Sequence, residues 1–510
     1  MSVKELFKSV DYYCDEFIEN GNFITIKTKE LKSMSLFCFR DLDCDLCTVV
    51  ALKEDDYFLI KYLYSYNRAD YFFVLEQRVD DEFESFAEAI PALNWFEREI
   101  YDLFGLKPKN HPDFRPLCLH PENYPKGFHP FNEKDIKEEI FEKYPYKDIK
   151  NEEVYTVPVG PIHAGVIEPG HFRFAMSGEP ILQLEIRHFW KHRGVEKLCE
   201  GKSVDEVLNL SQKISGDNAL SYALSFATAV ENIYDIKVPS FAGYCRVIAA
   251  ELERISCDLS DFAGIFQDVG YSFGAAGITL LKEDIMRLMK RLSGSRFFKD
   301  FVVIGGVSRD ISSHTKEILN EVKNVEKKCN EYKKLMQNSA SILERLETTG
   351  KIKYETIKEL SCVGFCASAS GRASDFRKTH PYLVYKNLDF DTMILNEGDV
   401  SARILVKLND IENSFKILKI CTNYISQIQK PRLKSRYELQ DGEAFGYAQS
   451  NRGNIVSFVK IEDGKVARFK PRDPSFMNWQ TIQYAVLGDV MGDFPLVNKS
   501  LNLSYAGNDL

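Results

Sequence analysis

Residues 107–131 read KPKNHPDFRPLCLHPENYPKGFHPF, six prolines and three histidines within 25 residues. Proline has no amide proton and clashes with helical backbone, so this run is excluded from helix interiors and central strands. It is predicted to be an extended, ordered loop. The polar stretch NEKDIKEEIFEKYPYKDIKNEE (132–153) follows it and reads as a linker. The expected organisation is therefore a domain over 1–131, a linker over 132–153 and a larger domain over 154–510. A chain of 510 residues has room for roughly two to four domains.

Short β-rich runs dominate the first part. TVVALKEDDYFLIKYLYSY (48–66) and ADYFFVLEQRVD (69–80) read as a pair of strands, and ESFAEAIPALNWFEREIYDLFG (84–105) as a helix broken or kinked at Pro91. A short β segment is expected over 154–186. Helices are expected at 220–235, 245–266 and 315–346, where apolar residues recur at helical spacing. From about 440 the alternation is again β-like, before a last helix near 479–490. The fold class is α+β: a small N-terminal α/β-sandwich domain, then a large, mainly helical domain with a short β segment.

Composition excludes several function classes. Lys+Arg total 66 against Asp+Glu 75, a net charge of −9, which argues against a nucleic-acid protein. No stretch approaches the ~18 apolar residues of a membrane span, and the acidic N-terminus lacks the layout of a secretory signal. A cytoplasmic location is expected, with any attachment to the inner membrane made peripherally through partner subunits. Twelve cysteines scattered through a chain this long fit reduced thiols, not a disulfide framework. Cys44-x-x-Cys47 supplies only half of a tetrahedral zinc site, and Cys362 and Cys366 read as small packing residues. Fragments such as IGGV (304–307) and FGAAG (273–277) lack the context of a dinucleotide fingerprint, so any NADH would be bound by another subunit.

Two motifs point to one superfamily. WFEREIYDLFGLKPKNHPDFRPL (95–117) resembles the signature of the 30 kDa subunit of respiratory complex I. From 155 onward the chain resembles the large subunit of group 4 [NiFe] hydrogenases and the related 49 kDa subunit of complex I. The matching segments include GPIHAGVIEPGHFRF (160–174), HRGVEKLCEG (192–201), ASASGRASDFRKTHPY (367–382), AFGYAQSNRGN (444–454) and RDPSFMNW (472–479). Fusion of both modules is a layout of membrane-bound hydrogenases of the formate hydrogenlyase kind.

The resemblance implies a metal centre held by two C-x-x-C pairs, and here this chain departs from it. Ser215 and Asn218 stand at the first pair of positions, Ser475 and Asn478 at the second. A hydroxyl or an amide replaces a bridging thiolate poorly, so no NiFe cluster is expected. Quinone reduction is the other activity the resemblance implies. His171 lies near the family's quinone-facing histidine. The tyrosine position falls on or beside Gly216, with Asp217, Asn218 and Tyr222 as polar substitutes. Glu168 resembles the proton-relaying glutamate of hydrogenases and reads equally as a helix- or turn-capping carboxylate, and His163 reads either as a cavity residue or as a hydrogen-bonded structural histidine. Arg193 sits in a motif that, by the resemblance, approaches the partner's proximal iron–sulfur cluster, and it reads equally as an ordinary interface salt bridge. Arg377, Asp375 and Arg452 resemble positions lining the cavity, with Asp473 one candidate partner for Arg452.

The expected function is that of a core subunit of an ion-translocating, membrane-associated redox complex. Its expected partners are a small [4Fe–4S] subunit, a proton-channel-like membrane subunit and antiporter-like membrane subunits. It would bind no cofactor alone, with quinone or another small molecule as acceptor. A non-catalytic scaffold with a vestigial cavity is the second reading, and a hydrogenase with oxygen and nitrogen ligands the third.

Overall fold

The computed structural model describes residues 6–7, 16–132, 139–164 and 167–510. Cys14 and linker positions 133–138 lie outside the described residues. The N-terminal sheet comprises β1 (Glu16–Asn20), β2 (Phe23–Lys27), β3 (Asp45–Lys53), β4 (Phe58–Tyr66) and β5 (Tyr71–Val79), in the order β1-β2-β5-β4-β3. The β2–β5 pair is parallel and the others antiparallel. Three strands thus occupy 45–79 where two were expected. The polar Glu54-Asp55-Asp56 run turns the chain, closed by the Glu54 amide donating to the Tyr57 carbonyl at 2.9 Å. Both faces of β3 are buried. Val49 and Ala51 point into the core of the sheet domain, while Val50 and Leu52 join the core of the helical domain.

The helix expected over 84–105 is shorter: α1 spans Asn94–Phe104. Pro91 opens a single 3₁₀ turn ahead of it, the position proline favours, because its missing amide would be unpaired there anyway. The Glu97 carboxylate accepts the Phe86 amide at 2.9 Å and a bond from the Ser85 hydroxyl, holding the chain folded back before the helix. Gly105, at φ 75°, ends it. The Pro/His run is pinned from α1. The Asp102 carboxylate accepts amides of Leu117 and Cys118, each at 2.7 Å, and Arg98 Nε donates to the Arg115 carbonyl at 2.7 Å. Lys107–Lys109 in that run forms a short strand parallel to Glu82–Glu84, with Pro108 tolerated at this edge position. The described part of the linker packs down rather than hanging free. Tyr144 is buried under the Arg187 guanidinium, 4.3 Å from its ring, and Asp148 pairs with Arg173 at 2.5 Å.

The second part opens with β6 (Tyr155–Val159), β7 (His171–Met176) and β8 (Ile181–Arg187), an antiparallel sheet. Its longest helices are α2 (Ala219–Ile233), α3 (Ser240–Asp268), α4 (Ser272–Ser293), α5 (Thr315–Gln337) and α6 (Val400–Ser426). The charged helix expected over 315–346 breaks after Gln337, its remainder forming Ala340–Leu346. Strands β9 (Gly442–Gln449), β10 (Asn454–Glu462) and β11 (Lys465–Arg472) form an antiparallel meander leading into α7 (Pro474–Ala485). Two short helices, Phe494–Leu501 and Tyr505–Asp509, bring the chain back beside α7. The described cysteines are free thiols; burial pushes Cys47 up to about 11 and Cys44 well above its ordinary value.

Candidate functional site

Three chain segments converge on one buried polar centre: the turn at 215–218 before α2, the β11–α7 junction, and residues 502–509. Asp473 caps α7, its carboxylate accepting the Ser475 amide at 2.7 Å, with Pro474 at the first helical position. The other Asp473 oxygen accepts the Tyr222 hydroxyl at 2.5 Å. Burial, and then Asp473 itself, push the Tyr222 phenol far above its ordinary range, so it is a pure donor here.

Arg452, for which Asp473 is one candidate partner in the sequence, pairs with Asp217 instead. Its guanidinium reaches Asp217 at 2.6 Å and the Asn218 amide oxygen at 2.5 Å, and its Nε donates to the Asn502 carbonyl at 2.5 Å. The difference has a simple cause: Asp473 is already committed to the α7 cap and Tyr222. Burial alone would raise the Asp217 carboxyl, but Arg452 and the Ser215 hydroxyl, 2.6 Å away, outweigh it and hold the acid well below its ordinary value. The side chain of Asp217 is 44% exposed while that of Arg452 is 4% exposed, so Asp217 is the reachable half of the pair. Beside Asp217 lies a cleft with about 80 Å³ of water-accessible space, lined also by Glu253, Cys257, Ser260, Met286 and Asn502.

The four positions that resemble metal-ligand sites share this region, and each side chain is already hydrogen-bonded. Ser215 meets the Ser504 hydroxyl at 3.2 Å, and Ser475 accepts the Ser504 amide at 2.9 Å. Asn218 donates to Asn451 at 3.1 Å. Asn478 both accepts from and donates to the backbone of Val363, at 3.0 and 3.1 Å. A donor set of two hydroxyls and two engaged amides, with a guanidinium 2.5 Å from one of them, does not fit a nickel–iron thiolate centre.

The other sequence candidates lie around this centre. Glu168 forms an ion pair with Lys191 and accepts the Ala506 amide at 3.0 Å, tying residues 167–170 to the C-terminal segment. His163 Nε2 bonds the Gly170 carbonyl at 2.7 Å, and His171 Nδ1 the Gly160 carbonyl at 3.1 Å. His171 also meets the ring of Tyr146, and no hydrogen bond among the described residues joins it to Asp217 or Tyr222. Burial lowers the His171 imidazole from its ordinary value. Arg193 is exposed and donates to the carbonyls of Lys213 and Ile214, at 3.2 and 2.8 Å, just before Ser215. Arg377 is buried in a separate network with Asp375, Glu251 and Asp410. Sequence reasoning missed Asn502, Ser504 and Gly507. They sit in LNLSYAGNDL, which has no motif or periodic signal, and enter the site only because the chain returns to it.

A sheet domain clamped by an ERE-x-x-D helix, joined to a helical domain with its polar centre between the α2 and α7 N-termini, defines the class of large subunits shared by complex I and membrane-bound hydrogenases. Residues 24–139 match the family described as respiratory-chain NADH dehydrogenase, 30 Kd subunit, and residues 268–440 the 49 Kd subunit of the same enzyme. The 30 kDa and 49 kDa domains of complex I are thus both matched within one polypeptide. The chain is 29% identical to hydrogenase-4 component G of Escherichia coli (strain K12) over 439 residues, 84% of this chain and 76% of that one. It is 27% identical to the C/D component of NADH-quinone oxidoreductase from Bacteroides thetaiotaomicron over 414 residues, 76% and 77% of the two chains. A chain of the membrane-bound sulfane sulfur reductase, an archaeal respiratory membrane complex, has the same fold at TM-score 0.66 and 24% identity, covering 71% of this chain and all of that one. No helix among the described residues is long and apolar enough to cross a membrane.

Proposed function

We propose that this chain is the core peripheral-arm subunit of a membrane-associated, energy-converting redox complex that has lost nickel–iron chemistry and reduces a small acceptor. The observation that carries the loss is the engaged, thiolate-free donor set at Ser215, Asn218, Ser475 and Asn478. Electrons arrive through a [4Fe–4S] cluster on a partner subunit, and the acceptor binds in the cleft beside Asp217. A quinone-like acceptor takes up two electrons and two protons. Arg452, fixed by Asp217 and Asn218, stabilises the negative charge that develops on it. Peripheral attachment to the inner membrane through proton-channel-like and antiporter-like partners couples the reduction to ion translocation.

The complete hydrogen bonding of the four positions also favours a second reading, a scaffold whose cavity is vestigial. Two measurements on the intact complex, isolated from native membranes without oxygen, test these readings. Nickel per copy of this polypeptide should be near zero, and a value near one overturns the loss of metal chemistry. Asp217→Asn should abolish acceptor reduction while leaving the complex assembled; unchanged turnover selects the scaffold.

A further inference from the structure

Helices α3 and α6 carry charged residues on the faces they bury against each other. On α3 these are Arg254, Asp258 and Asp261, and on α6 Lys407 and Asp410, at the three- and four-residue spacings that put side chains on one stripe. At one end, Lys407 is bonded to Asp261, and Asp261 accepts from the side chain of Asn502. The Asn502 carbonyl takes the Arg452 Nε of the functional site, and Asn502 lines the cleft beside Asp217. At the other end, Asp410 accepts from Arg377 at 3.1 Å and is 15% exposed, which opens this end to solvent.

Asp258 stands between these two ends. It is 1% exposed, and neither carboxyl oxygen has a hydrogen-bond partner among the described residues. An ionised carboxylate in that position is strongly unfavourable, because burial removes its water and no donor replaces it. Burial, then the neighbouring Asp261 charge, push this acid far above its ordinary range; Lys407 and Arg254 oppose the shift and Asp410 adds to it. The side chain is therefore a neutral acid, with an O–H to give and a lone pair to receive.

We infer that Asp258 is a proton-relay residue linking solvent at Asp410 to the cleft at Asp217 through Asp261. The inference rests on the functional reading above. Asp410 takes a proton from water and passes it to Asp258, as the Asp258 O–H proton moves to Asp261. From Asp261 the proton leaves to water in the cleft beside Asn502 and Asp217. One proton enters, one leaves and no electron moves. No hydrogen bond joins Asp258 directly to Asp261 or Asp410, so one bridging water on each side would complete the path.

The test reads the acid itself, without turnover. Infrared spectra of the full chain at neutral pH should contain a protonated-carboxyl band that Asp258→Asn removes. In heavy water the band should shift promptly, because a relay exchanges its proton with solvent. Asp410→Asn, at the more accessible end, should slow that exchange about tenfold or more while the band stays. A spectrum unchanged by Asp258→Asn, or a band that fails to shift over hours in heavy water, overturns the relay. If Asp258→Asn does not fold, the exchange rate in the Asp410 variant decides: a wild-type rate overturns the relay. Failure of the parent reading has a different signature, unchanged acceptor reduction in Asp217→Asn, so the two are separable.

Discussion

Gly507→Ala tests whether the C-terminal segment closes the polar centre as tightly as the structure shows. A Cβ on Gly507 would stand 2.4 Å from Asp473 Oδ2, 2.6 Å from its Cγ and 2.9 Å from the Tyr222 hydroxyl. No alanine fits without parting the Tyr222–Asp473 hydrogen bond or moving the segment. A buried hydrogen bond to a carboxylate contributes about 1.5–3 kcal/mol, and overpacking costs about 1–3 kcal/mol. With partial relaxation the expected loss is about 3 kcal/mol. Gly216→Ala is the matched control, because a Cβ there meets nothing within 4 Å; it should lie within about 0.5 kcal/mol of wild type. Urea unfolding followed by tryptophan fluorescence is the assay. Trp479 is fully buried, its indole N–H facing the Ser504 carbonyl at 3.3 Å and its ring 4.8 Å from Tyr505, so it reports on this segment. If Gly507→Ala and Gly216→Ala unfold at the same urea concentration, the close packing of the segment on Asp473 is refuted.

Arg452→Lys keeps the charge but loses the planar fork that serves Asp217, Asn218 and Asn502 together. It should lower stability by about 1–3 kcal/mol and reduce acceptor turnover in the complex; wild-type turnover would detach Arg452 from function. Glu253 is held near pH 7 by burial, against hydrogen bonds from the Ser221 hydroxyl and the Leu220 and Ser221 amides. Its folded value lies above the unfolded one of about 4.3, so its contribution is full below pH 4.3 and is lost as pH rises through 7. Wild type should therefore lose about 3 kcal/mol from this group between pH 4 and 8. Glu253→Gln should flatten that slope, as measured by urea midpoints across the range.

Helices whose apolar residues fall at helical spacing, such as α2 and α3, are legible in the sequence because periodicity reports a buried face directly. Helices α4 and α6 are not. In α6 the buried face carries Arg403, Lys407 and Asn413, so polarity no longer separates inside from outside. The strands at 45–79 are legible as β structure, but their number is not, since both faces of β3 are buried and a three-residue turn interrupts a continuous apolar run. At the site, the convergence of the 215–218 turn with the α7 N-terminus is legible only through resemblance. The pairing of Arg452 depends on which acid is free after capping. Asp473 precedes Pro474 at a helix start, a cap pattern readable in advance, and that pattern left Asp217 as the partner.

Domain fusion also has a physical reading where β11 meets the N-terminal domain. Arg468, Lys470 and Arg472 alternate along β11 and so point to one side of it, toward the N-terminal domain. Arg468 Nε reaches the Ala51 carbonyl at 3.3 Å and Arg472 Nε the Cys47 carbonyl at 2.7 Å, both on β3. Lys470 sits between Glu99 of α1 at 2.7 Å and Glu196 at 2.9 Å. Asp473, Ser475 and Asn478 follow directly, so the sheet domain sets where α7 begins. Buried ion pairs add little net stability compared with apolar packing, but removing one partner costs about 3–5 kcal/mol. Lys470→Met should incur that loss, because Glu196 retains Arg468 at 2.5 Å while Glu99 is left buried without its ion-pair partner. Adding Glu99→Gln should recover a large part of it, and the double-mutant cycle should give a coupling of about 1–3 kcal/mol. Additive losses in that cycle would mean that β11 is placed by its own meander, and that α1 merely rests against it.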